Sequence, residues 1–187
     1  VIEEILERTR ALLSGHFVLS SGKHSSRYIQ CARLFEFPEY GDIVGEKLAE
    51  LLRKYDVETV VGPAMGGVIL SYVVARYLKA RSLFTERENG VMKLRRGFTV
   101  KPGEKVAVVE DVVTTGGSVK EVIELLKDLG ANVMCVGSII DRSGGRVDFG
   151  VPFESLLKLE LPVYEPEDCP LCKQGIPAEK PGSRGLK

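Results

Sequence analysis

The segment Val106-Ala-Val-Val-Glu-Asp111 constrains the fold of this chain more than any other stretch. Four consecutive apolar residues read as a strand buried on both faces, because a strand with one wet face alternates apolar and polar positions. The run stops at two carboxylates. Thr114-Thr-Gly-Gly-Ser118 follows, and then Val119, Val122, Ile123, Leu126 and Leu129 recur at helical spacing up to Gly130. That spacing predicts a helix over 118–129 with those five residues inward and Gly130 as its stop. A doubly buried strand turning into an amphipathic helix is half of a right-handed βαβ unit, and such units build parallel sheets.

The same alternation runs through the chain. Val57–Val61 is a short β-branched run ending at Gly62-Pro63, and a helix is expected from about Gly67 to Leu78. Leu83-Phe84 marks a short strand, and Val133–Ile140 is another apolar run, ending at Asp141-Arg142. The expected fold class is therefore α/β: a parallel twisted sheet flanked by helices. Upstream, Ile2, Ile5, Leu6, Thr9, Leu12 and Leu13 predict a helix over 1–13 that stops at Gly15. Residues 16–31 read as extended, with a turn at Ser20-Ser-Gly-Lys23. A second helix over 39–55 would bury Ile43, Val44, Leu48, Leu51, Leu52 and Tyr55. Residues 86–103 are highly charged and contain Gly90, Gly97 and Gly103, the pattern of a loop. From Pro166 the chain is rich in Pro, Gly and Lys and is expected to wrap the surface or to be partly mobile.

Several functional classes drop out on composition. Lys plus Arg and Asp plus Glu number 26 each, so no basic excess points to nucleic acid. No apolar run reaches the roughly 20 residues of a membrane span. The acidic, amphipathic start, Val1-Ile-Glu-Glu-Ile-Leu-Glu-Arg, is unlike a signal peptide and leads to the expectation of a cytoplasmic protein. Cys135 lies in an apolar run and reads as a core residue. Cys169 and Cys172 form one C-x-x-C with no second pair at zinc-ribbon spacing. The pair could clip the tail or bind zinc across a dimer; with two ligands in view, a structural or incidental role is expected for them. His16 and His24 fall in the 16–31 segment; neither is a strong metal or base candidate, and His24 reads either as structural or as able to reach a substrate.

Three apolar runs end in polar or glycine-rich segments: Gly62-Pro-Ala-Met-Gly-Gly67, Glu110-Asp111 with Thr114–Ser118, and Asp141-Arg142. In open parallel sheets ligands bind beyond the carboxyl ends of the strands, so one rule gathers three distant segments. Hydroxyls of Thr114, Thr115 and Ser118, uncovered amides at Gly116 and Gly117, and the free N–H groups of the next helix make a phosphate cradle. Glu110 and Asp111 suit vicinal hydroxyls, which donate hydrogen bonds to carboxylates. A diol binder followed directly by a phosphate binder describes a ribose 5-phosphate. Neither G-x-x-x-x-G-K-[ST] nor G-x-G-x-x-G occurs.

Residues 106–118 resemble, without a gap, the phosphoribosyl pyrophosphate (PRPP) motif of type I phosphoribosyltransferases: an apolar strand, two acidic residues, two variable residues and T-x-G-x-[ST]. Gly15-His-Phe-Val-Leu-Ser-Ser-Gly-Lys-His-Ser25 with Tyr28-Ile-Gln-Cys-Ala32 is similar to the N-terminal hood of the orotate-using branch. Val61–Gly67 is similar to its pyrophosphate loop, and Ile140-Asp-Arg142 to its orotate-binding segment. The resemblance implies one domain over 1–187, with a small hood mainly in 1–35, a core over about 40–160 and a tail over about 165–187. It implies transfer of the phosphoribosyl group of PRPP to orotate, giving orotidine 5′-monophosphate and pyrophosphate. A purine-using member and a non-catalytic PRPP sensor are the alternatives.

By the same resemblance, Glu110, Asp111, Val112, Val113, Thr114, Thr115, Gly116, Gly117 and Ser118, with Ala64 and Met65, would bind PRPP. Thr114 and Arg142 would bind orotate, and Asp111, Glu110 and Arg87 would be catalytic. Mg²⁺ would come bound mainly through PRPP, with no dedicated metal ligands. A homodimer is implied, in which the 86–97 segment serves the neighbouring site; no nucleic-acid or membrane partner is implied. The chain departs from the family pattern at Ser20 and Gly66, where lysines are common. It also lacks a histidine in the 86–97 loop, whose charge comes from Arg87, Lys93, Arg95 and Arg96.

Overall fold

A computed structural model describes residues 1–181, so the last part of the expected tail, 182–187, lies outside the described residues. The described residues group into two compact units. The larger is Phe37–Leu159; the smaller joins Val1–Glu36 to the segment from Glu160 onward.

The larger unit holds a six-stranded sheet. In chain order its elements are α2 (Pro38–Leu52), β3 (Thr59–Pro63), α3 (Gly66–Leu78), β4 (Arg81–Glu88), β5 (Val91–Leu94), β6 (Lys105–Val113), α4 (Gly117–Asp128), β7 (Asn132–Asp141) and β8 (Phe153–Lys158). The strand order is β5-β4-β3-β6-β7-β8, parallel throughout except for β5, which pairs antiparallel with β4. From β3 the chain runs outward to β4 and β5, then returns to place β6 on the other side of β3. The strand order therefore reverses between β3 and β6, and a crevice opens there beyond the carboxyl ends.

Both faces of the sheet are covered, which is why β6 reads as an unbroken apolar run. Val106 and Val108 join Val61, Val122, Leu126 and Val136 in a buried cluster against α4. Ala107 and Val109 are equally buried and point to the opposite face, since strand side chains alternate. Gly45 and Gly137 bring α2 against α3 and β7: a Cβ at either would come within 3 Å of Val73 or Leu52. Two inward assignments fail. Leu129 is 44% exposed because α4 ends at Asp128, and Ile43 is 38% exposed on the outer side of α2. Part of the expected 86–103 loop is sheet instead: Thr85 to Glu88 pair with Leu94 to Val91 around a turn at Asn89-Gly90, both at positive φ.

The smaller unit contains α1 (Ile2–Arg8) and an antiparallel sheet of β1 (Leu12–Val18), β2 (His24–Ile29) and β9 (Val163–Tyr164), followed by a short α5 (Pro170–Lys173). The expected helix over 1–13 is shorter. The Thr9 hydroxyl turns back to donate to the Ile5 carbonyl at 2.8 Å, and Arg10 takes a left-handed φ of 62°. The chain then leaves helical geometry, so Leu12 and Gly15 lie in a strand. The expected turn is present, closed by Gly22 N donating to Leu19 O at 2.9 Å. The strands β8 and β9 and the helix α5 were not anticipated: 153–158 lacks a clean period, and β9 is only two residues long. Beyond α5, Val18 N donates to Glu179 O and Glu179 N to His16 O, so this part of the tail pairs with β1. No helix among the described residues is long and apolar enough to cross a membrane.

Candidate active site

The cleft follows β6 and is lined by Glu110, Val112–Thr115, Gly116 and the first residues of α4, Gly117–Val119. Gly116 makes this turn possible. Its φ is +80°, where L side chains are strained, and a Cβ there would meet Phe149 at 2.8 Å and Val147 at 3.0 Å. Thr114, Thr115 and Gly117 are exposed around it. The helix begins at Gly117 with no side-chain cap, so its leading N–H groups are available to an anion.

The carboxylates do different things. Glu110 lines the cleft and its Oε1 accepts from Asp111 N at 3.1 Å; Asp111 Oδ1 accepts from Val112 N at 2.8 Å. Burial, then the neighbouring Asp111 charge, pushes Glu110 up from 4.5 to about 9. Two adjacent half-buried carboxylates resist carrying two negative charges. A group that donates hydrogen bonds or positive charge would relieve that repulsion.

The β3–α3 loop sits across the switch point, since β3 and β6 are paired. A Cβ at Gly62 would fall 2.9 Å from Gly67 Cα, and one at Gly67 would fall 2.8 Å from Gly62 Cα, so each glycine is needed for the other. A side chain at Gly66 would land on the Asp111 carboxylate unless that group rotated away, which gives the lysine-to-glycine departure a physical context. Ala64 and Met65 lie exposed in this loop, and the peptide between them is cis.

Arg142 is brought to the same end of the sheet. Its backbone N donates to Val113 O at 2.8 Å, one residue before the cradle, while Asp141 is occupied in accepting from Ser143 N. Arg142 is half-buried, and burial alone pulls its guanidinium below the usual arginine value. Among the described residues no carboxylate partners it.

The basic residues of the β4–β5 hairpin are largely self-paired. Arg87 makes a bidentate pair with Glu121 of α4 at 2.6 and 2.8 Å. Arg96 pairs the same way with Glu86, and Arg95 lies 3.2 Å from Glu88. Of the four basic residues singled out in the sequence, Lys93 alone has no carboxylate partner among the described residues, and it is exposed. A second set of ligating side chains, His16, His24, Cys169 and Cys172, assembles in the smaller unit. The sequence kept its members in separate segments.

Paired carboxylates and an uncapped helix start thus meet at the switch point of a parallel sheet. Residues 31–149 match the phosphoribosyl transferase domain family, and the chain belongs to it. Over all 187 residues of both chains it is 89% identical to orotate phosphoribosyltransferase of Thermotoga maritima. It is 60% identical to the enzyme of that name from Caldanaerobacter subterraneus, covering 98% of this chain and 96% of that one. Among solved structures, orotate phosphoribosyltransferase from Aeropyrum pernix aligns with a TM-score of 0.73 and 29% identity over 85% of this chain and 94% of that one.

Proposed function

We propose that this chain transfers the phosphoribosyl group of PRPP to orotate, giving orotidine 5′-monophosphate and pyrophosphate. The observation that carries the reading is the juxtaposition at the end of β6: Glu110 and Asp111, then uncapped amides and hydroxyls over Thr114–Ser118, then Arg142 hydrogen-bonded to Val113.

In this reading the 5-phosphate of PRPP settles on the amides of Gly116, Gly117 and Ser118 and the hydroxyls of Thr114, Thr115 and Ser118. Val112 and Val113 form the floor, and the exposed Ala64-Met65 backbone faces the pyrophosphate. Glu110 and Asp111 accept from the ribose hydroxyls and favour the positive charge that grows on the ring as the anomeric carbon–pyrophosphate bond breaks. Phosphate anchoring orients that carbon toward the orotate nitrogen that bonds to it. Arg142 presents a guanidinium fork to the orotate carboxylate, and Thr114 touches the base. Mg²⁺, bound mainly through PRPP, would neutralise charge on the departing pyrophosphate.

Arg87 reaches the site by breaking its pair with Glu121, which is exposed and screened by solvent. Lys93 needs no such exchange and is the readier cation of the hairpin. A homodimer completes the reading. Met65, Ile69 and Tyr72 are 86%, 52% and 65% exposed and fall at helical spacing along the start of α3, an apolar stripe suited to a second copy. The setting is cytoplasmic.

Pyrophosphate release with PRPP, Mg²⁺ and each of orotate, adenine, hypoxanthine and uracil tests the assignment. Orotate alone should support turnover; release with a purine and none with orotate would overturn it.

A further inference from the structure

The smaller unit contains a polar cluster outside the residues assigned above to phosphoribosyl transfer. His16 is buried on β1, His24 opens β2, and Cys169 and Cys172 bracket the first turn of α5. One ligand atom from each lies within 4.8 Å of the others. His16 Nε2 is 3.0 Å from His24 Nδ1, 3.4 Å from Cys169 Sγ and 3.7 Å from Cys172 Sγ; His24 Nδ1 is 3.4 Å from Cys172 Sγ. A tetrahedral zinc ion with Zn–N near 2.0 Å and Zn–S near 2.3 Å requires ligand-to-ligand edges of roughly 3.3–3.8 Å. Three of the four separations fall in that range, and the His–His edge lies a few tenths of an ångström below it.

The proton inventory leads to the same place. His16 Nδ1 lies 2.8 Å from the Ile176 carbonyl, an acceptor only, so Nδ1 carries the ring proton and Nε2 turns a lone pair into the cluster. A backbone carbonyl behind the ring is the arrangement that orients metal-bound imidazoles. That single lone pair faces His24, Cys169 and Cys172 together and can accept one proton, whereas a cation at the centre would engage all four groups. Both cysteines are free thiols. Two sulfurs and two imidazole nitrogens without a carboxylate select zinc over the hard cations magnesium and calcium.

We propose that His16, His24, Cys169 and Cys172 bind one Zn²⁺ in a closed tetrahedral site that pins the C-terminal segment to the β1–β2 hairpin. Four protein ligands leave no open position, so the ion is structural. It adds to contacts already made there: the Ser25 hydroxyl donates to Pro162 O at 2.6 Å, and Lys23 lies 3.3 Å from Glu165. Cys172, exposed at the rim, gives the ion its entry.

The test uses the untagged full chain, purified under reducing conditions, loaded with zinc and desalted. Metal analysis should find about one zinc per chain. Cobalt(II) in its place should give the visible bands of a tetrahedral ion and a thiolate-to-cobalt charge-transfer band. A chelator should lower Tm, and added zinc should restore it. Cys172→Ser, at the rim, should lose most of the bound metal and the thiolate band should weaken, while Asp111→Asn, in the PRPP cleft, should keep both. Zinc at only a small fraction of the chain concentration would overturn the proposal. So would equal retention by Cys172→Ser and the parent, or a Cys169–Cys172 disulfide in place of the metal. Because the cobalt spectrum is read on the parent chain, a variant that fails to fold does not shield the proposal.

Discussion

In residues 37–159 the reactive polar groups stand at the edge of a large apolar core, at strand ends where the backbone itself supplies donors. In the smaller unit two histidines and two cysteines sit among few large apolar side chains: Ile5, Leu6, Leu12, Phe17 and Leu34 are the bulkiest that are buried there among the described residues. A unit with so little to bury gains from a staple, because small units exclude too little apolar surface to be held by burial alone. The larger unit can therefore devote its polar residues to ligands, whereas the smaller one gathers its own into a cluster with His16 and Cys169 buried.

The contrast is sharpest in a core truncation. Leu126→Ala removes a fully buried side chain from the cluster under α4 and should cost about 2–5 kcal/mol, read by denaturant unfolding. The loss should be the same with and without chelator; a loss that depends on zinc would break the separation of the two units. Next comes Arg142→Ala. Losing a charge-assisted contact of about 1.5–3 kcal/mol should raise the orotate KM by about tenfold or more and leave that of PRPP nearly unchanged. Equal weakening of both substrates would remove base recognition from this residue. Asp111→Asn should cut turnover by at least about tenfold without lowering Tm, and near-parental turnover would contradict the diol role.

The smallest effect concerns Glu110. Its folded-state pKa is raised from 4.5 to about 9, so the ligand-free protein retains a proton that the unfolded chain has lost. That contribution to stability is fully present below about pH 4.5 and fades as pH rises toward about 9. Glu110→Gln should flatten the decline and gain about 1 kcal/mol near pH 8, allowing for solvent access to the cleft. A thermal-melt series parallel to that of the parent would show that Glu110 ionises freely.

How legible all this was in the sequence depends on distance along the chain. The β6–α4 unit could be read outright because strand, carboxylates, glycines and helix occupy one continuous stretch, and the switch-point rule then drew in Gly62–Gly67 and Arg142. The hairpin at 81–94 was harder, since charged residues on an edge strand look like a loop until their partners are known; Arg87 and Arg96 meet Glu121 and Glu86 only in three dimensions. The Cys/His cluster was hardest. Cys169 and Cys172 alone offer half a ligand set, and the other half lies 153 residues upstream at His16. The signal was thin: both histidines of the chain stand eight residues apart, on either side of a turn.

The division of the chain has a consequence for its synthesis. Phe37–Leu159 is continuous, whereas residues 1–36, made before it, belong to a unit completed only from Glu160 onward. Residues 1–36 must therefore wait through the synthesis of 37–159 for their partners. Deletions near the carboxyl terminus should accordingly be felt at the opposite terminus, while the parallel-sheet unit assembles on its own schedule.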